Sequence, residues 1–492
     1  MFLLHAISIT LFGDAQSSVR VLDLIFVLAA GFLIATFRRR RADDGVPFDH
    51  PERKPGEVGA ACVLVACMHY TFFDYSDTAH PELWQGVFML AAAWVITRAP
   101  RGEVSARAAF AAGVLACLAV TLKHVAALSG FVVALAAVAL GVLRRSPREA
   151  LRSGTAFTLG VIAVLVLTVL PFVVTGTFEQ LRATMIDFIL YYAGRSPAYT
   201  WGVPPWMKLD LGGWSVVVAL ILFVLGIAVT RATRNHRERQ LGWWIALLAV
   251  TCFATIAVQK RALVWATFSY YFVVWVPFLA LLAHWGLRQV VVRRAPAQLL
   301  AAALVTAAMF LVGPHWVGNR TWTYRQEHAM WRAHVRGERS WEDLHGAHRV
   351  SAIDAYVRQQ RVGDALRRLA RDGDTMCADG FVPALYYLGG LRCTSRYIVG
   401  DIAGPGSPLH EEHTRSLRER PPTFVVTFSD RRARIRQLER EGYVRHDVDD
   451  GQRPFYVILE RRRGGQVSAA RPPARSATEN KSRPRPRGSA SP

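Results

Sequence analysis

The sequence predicts an all-α, polytopic membrane domain of about ten transmembrane helices, followed by a small extracytoplasmic α/β domain. Two observations lead to this prediction. Apolar residues make up 52% of the 492 positions and are concentrated in blocks of about 15 to 22 residues, long enough to cross a hydrocarbon core as helices. After residue 313 these blocks stop, and short helical and strand patterns alternate, as in a small α/β domain.

The apolar blocks divide into ten predicted spans. Most of them lack the polar face that a core helix of a soluble protein shows, as in TAFTLGVIAVLVLTVLPFVV. A hairpin at Lys123 and His124 separates the fourth span from the fifth, although 108–143 is also readable as one long helix. The spans are expected at residues 19–37, 57–73, 83–97, 108–122, 125–143, 155–175, 214–230, 241–258, 268–286 and 298–313.

The links between the spans carry unequal positive charge, which predicts their orientation. One alternating set, which begins with residues 38–56, contains 20 Lys and Arg, whereas the other set, which includes 74–82, contains six. Cytoplasmic links carry the positive excess in membrane proteins, so the second set is expected outside. We therefore expect a multi-pass protein of a plasma or bacterial inner membrane, with its C-terminal domain outside the cytoplasm.

The chain divides into five predicted segments. Residues 1–18 are expected to form an outward-facing interfacial helix or loop, and residues 19–313 the transmembrane domain. A juxtamembrane stalk over 314–349 leads to the α/β domain at 350–462. The Arg-, Pro- and Ser-rich tail at 463–492 is expected to be disordered and basic.

The net charge of +22 does not indicate a nucleic-acid partner. Much of it lies in the short links between apolar blocks. The sequence contains no zinc-finger spacing, no P-loop and no basic helix with interleaved aromatic residues. Membrane lipids are expected partners of a chain with these apolar blocks.

The cysteines fall into two groups. Cys62, Cys67, Cys117 and Cys252 lie in or beside apolar blocks and are expected to be small core residues; Cys377 and Cys393 lie in the polar C-terminal part. An extracytoplasmic location permits these last two either to pair or to remain separate thiols, and the sequence leaves both possibilities open.

The candidate catalytic residues lie in one outward link, FFDYSDTAHPELWQ at 72–85. They are Asp77, His80 and Glu82. A carboxylate beside the membrane can accept a proton from a hydroxyl group or bind a divalent metal ion, so a metal cofactor is possible without being required. The alternative is a solvated loop that carries charge only because it is wet.

Basic residues occupy the outward ends of two other hairpins. Lys123 lies between the fourth and fifth spans, and Lys260 and Arg261 follow the eighth. Such groups stabilise the charge that builds on a departing phosphate, more strongly where water is scarce. They are the candidate donor-phosphate-binding residues.

Several stretches resemble the GT-C glycosyltransferases, and in particular the branch with protein O-mannosyltransferases and the bacterial lipid A aminoarabinose transferases (glycosyltransferase family 39-like). The resemblance covers nearly the whole chain. The stretches are FGDAQSSVRVLDLI, LACLAVTLKHVAALSG with Lys123, VQKRALVWATFSYYFVVWVPFLALLA with Lys260, Tyr270, Tyr271 and Pro277, DGFVPALYYLGGLRCTSRYIVG, and PPTFVVTF.

The resemblance implies an inverting transferase. Such enzymes take a sugar from a polyprenyl-phosphate donor and attach it to a lipid, glycan or protein acceptor on the outer side of the membrane. With Trp84 among the outward aromatic residues, Tyr270 and Tyr271 are the expected substrate-groove residues. Family members also use an acidic residue in a first outer loop, ahead of the segment that matches MFLLHAIS, so we expect a further span and loop upstream of this chain.

Two other classes of function remain open. A transporter or flippase is one, but that class places its polar site near mid-membrane, often between paired halves, and no repeat between halves is evident. The other is a catalytically inactive GT-C-like protein, which the missing first-loop acid allows. The second outer loop also departs from the family pattern, since Ala79 and His80 precede Pro81 where relatives place an acid.

Overall fold

The chain divides into two compact units, the helical unit at residues 1–350 and the α/β unit at residues 351–492, and each is described by itself. The structure is a computed structural model. It describes residues 7–8, 10–12, 16–37, 55–72, 81–98, 104–122, 127–143, 146–187, 213–258, 273–291, 295–312, 329, 332–333, 335–338, 356–380, 382, 384–395, 409–448 and 455–462.

The described elements of the helical unit are helices. Each of the ten predicted spans falls on one of them, so the predicted helical character of this region is confirmed. The helices are α1 Gln16–Ala35, α2 Pro55–Phe72, α3 Pro81–Thr97, α4 Ala106–Leu122, α5 Ala127–Leu143, α6 Pro147–Val174, α7 Phe178–Arg182 (continued by a π-helical turn, Ala183–Asp187), α8 Gly213–Ala232, α9 His236–Val258, α10 Val276–Val290 and α11 Ala295–Val312.

The prediction that all ten helices span a membrane goes further than the structure does. Among the described residues, two helices are long and apolar enough to cross a bilayer, Pro147–Val174 with 28 residues and Val273–Val290 with 18. Some of the other apolar helices are shorter. Ala106–Leu122 has 17 residues, which extend about 26 Å at the helical rise of about 1.5 Å per residue.

Helix α6 presents an apolar surface to its surroundings. Only 17% of the most apolar 18-residue stretch of this helix is buried, whereas 78% of the corresponding stretch of Val273–Val290 is buried. The side chains of Leu159, Leu167 and Val174 are all more than half exposed. A large continuous apolar surface marks a membrane or protein contact, because water-soluble monomers rarely expose one.

Helices α4 and α5 are two helices and not one. Helix α4 ends at Leu122 and α5 begins at Ala127. A Cβ atom added to Gly130 of α5 lies 3.5 Å from the Cβ atom of Ala116 on α4, so the two helices pack against each other. The break expected near Lys123 is therefore present.

One carboxylate joins the start of α9 to the end of α10. Glu238 Oε2 accepts hydrogen bonds from Arg288 at 2.8 Å, Gln289 Nε2 at 3.0 Å and Trp285 Nε1 at 3.3 Å. Three donors on α10 thus share one acceptor on α9. This arrangement fixes the two helices as an antiparallel pair at this end.

Replacing Glu238 with alanine is expected to lower the free energy of unfolding of the helical unit by about 1–3 kcal/mol, because three donors lose their acceptor. Unfolding in mixed detergent micelles, followed by circular dichroism, measures the loss. Glu179→Ala is the control, since the ion pair of Glu179 with Arg182 is 71% and 52% exposed and contributes little. Equal losses in the two variants contradict the role given to Glu238.

The α/β unit contains a five-stranded mixed sheet in the order β2-β1-β3-β5-β4. Strand β1 runs parallel to β2 and β3, and β5 runs antiparallel to β3 and β4. Its elements are α12 Tyr356–Leu369, β1 Thr375–Ala378, α13 Ala384–Gly389, β2 Arg392–Cys393, α14 His410–Glu419, β3 Phe424–Phe428, α15 Arg432–Arg440, β4 Tyr443–Asp447 and β5 Tyr456–Arg461. The small α/β domain expected from the sequence is thus present.

The two faces of this sheet have separate cores. Leu366 of α12 and Leu385 of α13 pack with Phe424 on one face. Ile435 and Leu438 of α15 pack with Val425 on the other. Because alternate residues of β3 enter different cores, helices cover both faces of the sheet.

No disulfide bond joins Cys377 to Cys393. They lie on adjacent strands, where Cys393 pairs in register with Met376. Cys377, the next residue of β1, therefore points to the opposite face of the sheet, which is unfavourable for a disulfide bond. Burial, and after it the charge of Asp379, raises the pKa of the Cys377 thiol to about 12.

Cys377 is expected to resist alkylation in the folded protein. The thiolate is the nucleophile, so a pKa near 12 slows the reaction at pH 8 by a factor on the order of 1000 relative to an ordinary thiol. Iodoacetamide labelling followed by peptide mass spectrometry measures the rate before and after unfolding in urea. Fast labelling of the native protein, or a peptide mass that reports a disulfide, is the contrary result.

Candidate functional site

The starts of α1 and α3 lie at the same end of the helical unit. Phe26 of α1 stacks on Trp84 of α3 with the ring centroids 5.4 Å apart. Farther along both helices, Trp94 Nε1 donates a hydrogen bond to Thr36 Oγ1 at 2.9 Å. Since the contacts advance in the same direction along both helices, α1 and α3 run parallel to each other.

Helix α2 runs in the opposite direction and brings its end to the same place. Its Cys62 Sγ lies 4.0 Å from the carbonyl oxygen of Leu28. Two turns later in α2, His69 contacts Asp23, which is nearer the start of α1. The start of α1, the end of α2 and the start of α3 therefore converge.

A buried acid–imidazole–phenol cluster lies at this convergence. Asp23 Oδ2 lies 3.2 Å from His69 Nε2 and accepts a hydrogen bond from the Tyr70 hydroxyl at 3.2 Å. The side chains of Asp23 and His69 are 1% and 0% exposed. Asp23 Oδ1 has no hydrogen-bond partner among the described residues. The stability of the fold therefore depends on the few hydrogen bonds that this carboxyl group accepts, because a buried polar group without partners costs free energy.

A second carboxyl group lies in the first turn of α3. Glu82 is 3% exposed, and Gln85, one turn later, is 1% exposed. Trp84 between them is fully buried against Phe26. Glu82 is thus an interior side chain, and Trp84 belongs to the packing between α1 and α3.

This end of the unit also receives the start of α10. A Cβ atom added to Gly86 of α3 lies 2.5 Å from the carbonyl oxygen of Val274, which precedes α10. The backbones therefore approach closely within one turn of Glu82. Glu82 and the Asp23 cluster thus lie at the same end of the helical unit. Carboxyl, imidazole and phenol groups can exchange protons with a substrate hydroxyl.

The other predicted site residues lie outside the described residues. Only Glu82 and Trp84 of the candidates are described, and the structure brings Trp84 against the helix that carries Asp23. The residues not described are Asp77, His80, Lys123, Lys260, Arg261, Tyr270 and Tyr271. Their roles stay predictions.

The Asp23 cluster is the feature that the sequence analysis missed. Asp23 and His69 are separated by 46 positions, and no local spacing connects them. One signal was available: Asp23 is the single acid within the apolar block LDLIFVLAAGFLIATF, and an ionisable residue inside such a block is a candidate functional residue.

The described residues contain no group of three His, Cys, Asp or Glu side chains able to hold a metal ion. Comparison of the chain with known protein families, with characterised proteins and with solved structures finds no match.

Proposed function

We propose that the chain is an integral membrane glycosyltransferase. It moves a sugar from a polyprenyl-phosphate donor to a lipid, glycan or protein acceptor on the outer face of the membrane, with inversion at the anomeric carbon. In this proposal the ten long helices of the helical unit cross or enter the bilayer.

The observation that carries the proposal is the buried cluster of Asp23, His69 and Tyr70, at the same end of the helical unit as Glu82. It lies at the end of α1, α2 and α3 that the arginine bias assigns to the outer side. Proton-accepting groups at the outer end of membrane helices suit a reaction between a lipid-linked donor and an acceptor hydroxyl. The exposed apolar surface of α6 supports the membrane environment.

The proposed reaction is a direct displacement. The acceptor hydroxyl gives its proton to a carboxylate, Asp77 or Glu82, and its oxygen bonds to the anomeric carbon. The bond between that carbon and the phosphate oxygen breaks on the opposite side, and polyprenyl phosphate leaves with the electron pair. Lys123, Lys260 and Arg261 stabilise the charge that builds on the departing phosphate.

The test is transfer by the purified chain in proteoliposomes that contain radiolabelled polyprenyl-phosphate sugars and a membrane extract as acceptor. The expected result is labelled acceptor together with released polyprenyl phosphate. Movement of intact labelled donor between leaflets, without cleavage, would indicate a flippase. No transfer with hexosyl or pentosyl donors under conditions where the protein stays folded overturns the proposal.

A further inference from the structure

The α/β unit has a topological switch point between β1 and β3. The chain leaves β1 through α13, which packs on one face of the sheet, and leaves β3 through α15, which packs on the other. In α/β sheets, ligands bind outside the carboxyl ends of the parallel strands at such a point, because the two connections diverge there. A ligand site is therefore expected at the carboxyl edge of β1 and β3.

Asp379 and Thr427 occupy neighbouring backbone positions at this edge. Asp379 follows β1, and its backbone N–H donates to Val426 of β3 at 2.8 Å, which places it in register beside Thr427. Asp379 Oδ2 and Thr427 Oγ1 have no hydrogen-bond partner in the described part of the chain. Buried polar atoms normally have partners, so the Asp379 oxygen lacks a donor, whereas the Thr427 hydroxyl lacks a partner of either kind.

A cation and a neutral imidazole complete the group. Arg434 Nε lies 3.7 Å from Asp379 Oδ2, beyond hydrogen-bond distance, and both side chains reach the surface, with exposures of 36% and 18%. At the end of β2, the Ser395 hydroxyl contacts His413 Nδ1 at 2.8 Å. The pKa of His413 is lowered by burial and then by the charge of His410, and the charge of Asp379 offsets this only in part.

The charges of this group select the class of ligand. The Asp379–Arg434 pair contributes one negative and one positive charge, and His413, whose pKa is lowered, is neutral at neutral pH. A free anion is repelled by the carboxylate of Asp379, and a metal ion is repelled by the guanidinium of Arg434. A neutral polyhydroxylated molecule can donate hydrogen bonds to the carboxylate and accept them from the guanidinium at the same time.

We propose that the carboxyl edge of β1, β2 and β3 binds a neutral sugar ring, with Asp379 accepting from and Arg434 donating to neighbouring hydroxyl groups. His413, oriented by Ser395, lies at the same edge. The sugar is a residue of the acceptor glycan, and this last assignment rests on the proposed function.

Saturation-transfer NMR on the full chain in detergent tests the proposal, with methyl glycosides of mannose, glucose, arabinose and N-acetylglucosamine as probes. At least one glycoside is expected to bind saturably, and Asp379→Asn and Arg434→Gln are each expected to weaken it at least fivefold. Asp364→Asn and Arg367→Gln are the matched controls, because these residues form an exposed ion pair at 3.0 Å in the same unit.

Several results overturn the inference. They are saturable binding of none of the four glycosides, unchanged binding in Asp379→Asn or Arg434→Gln, equal weakening in the controls, and displacement of the glycoside by inorganic phosphate. Thermal unfolding of each variant is the check that it is folded. Arg434→Gln changes an accessible side chain and is expected to stay folded. Absence of transfer by the wild type refutes the proposed function alone, since this readout is binding.

Discussion

Replacing Asp23 with alanine is expected to destabilise the helical unit by about 4 kcal/mol. His69 and Tyr70 lose the acceptor that each contacts at 3.2 Å, and both donors stay in an interior site where His69 is fully buried. Detergent unfolding of wild type and variant measures the loss. Asp187→Ala is the control, because Asp187 is 44% exposed and lies 3.7 Å from Arg182.

The same residue gives the largest expected effect on activity. Asp23→Asn keeps the shape of the side chain but replaces one acceptor oxygen with an NH2 donor, so the contact that orients His69 is altered. Under the proposed function, the His69–Asp23 pair takes part in accepting the proton of the acceptor hydroxyl, so transfer falls about 100-fold or more at temperatures where the variant is folded, and the pH profile of transfer changes. A stable Asp23→Asn variant with wild-type rate and pH profile contradicts a functional role and leaves a structural one.

Gly286→Ala has the largest expected effect on packing. An added Cβ atom lies 2.1 Å from the carbonyl oxygen of Leu222, so α8 and α10 have to separate. Both partners are helix backbone and cannot give way as a side chain does. The expected loss of stability is about 3 kcal/mol, at the upper end for an overpacked interior.

Gly59→Ala is the matched control for Gly286→Ala. Both glycines lie within long helices, but a Cβ atom at position 59 meets the side chain of Leu299 at 3.5 Å, an ordinary contact. The better helix propensity of alanine is then expected to leave stability unchanged or slightly raised. Equal free energies of unfolding for the two variants in detergent titrations would contradict the close approach of α8 and α10.

The helices could be predicted because their pattern is local. The block FVVALAAVALGVL is apolar whatever it packs against, and the span expected at 125–143 is observed as helix Ala127–Leu143. Strand β4 was not predicted, since it is an edge strand in which Val444 and Arg445 are both exposed. Without one buried face, the alternation that reveals a strand is absent.

The candidate site was less predictable because it depends on how distant helices pack. Glu82 was found from its place in an acidic link, but its burial follows from the packing of α3 against α1. Asp23 acquires its partners only when α1 and α2 pair in opposite directions. The sequence contains the residues of the cluster, and the antiparallel packing brings them together.

The central claim is that the end of the helical unit with Asp23 and Glu82 faces away from the cytoplasm. Ser76→Cys, in the link between α2 and α3, tests it most directly in a chain otherwise free of cysteine. A membrane-impermeant maleimide is predicted to label Ser76→Cys in intact cells, and Thr233→Cys, in a link assigned to the cytoplasm, only after permeabilisation. Labelling of Ser76→Cys only after permeabilisation contradicts the account, because the carboxylates would then face the cytoplasm.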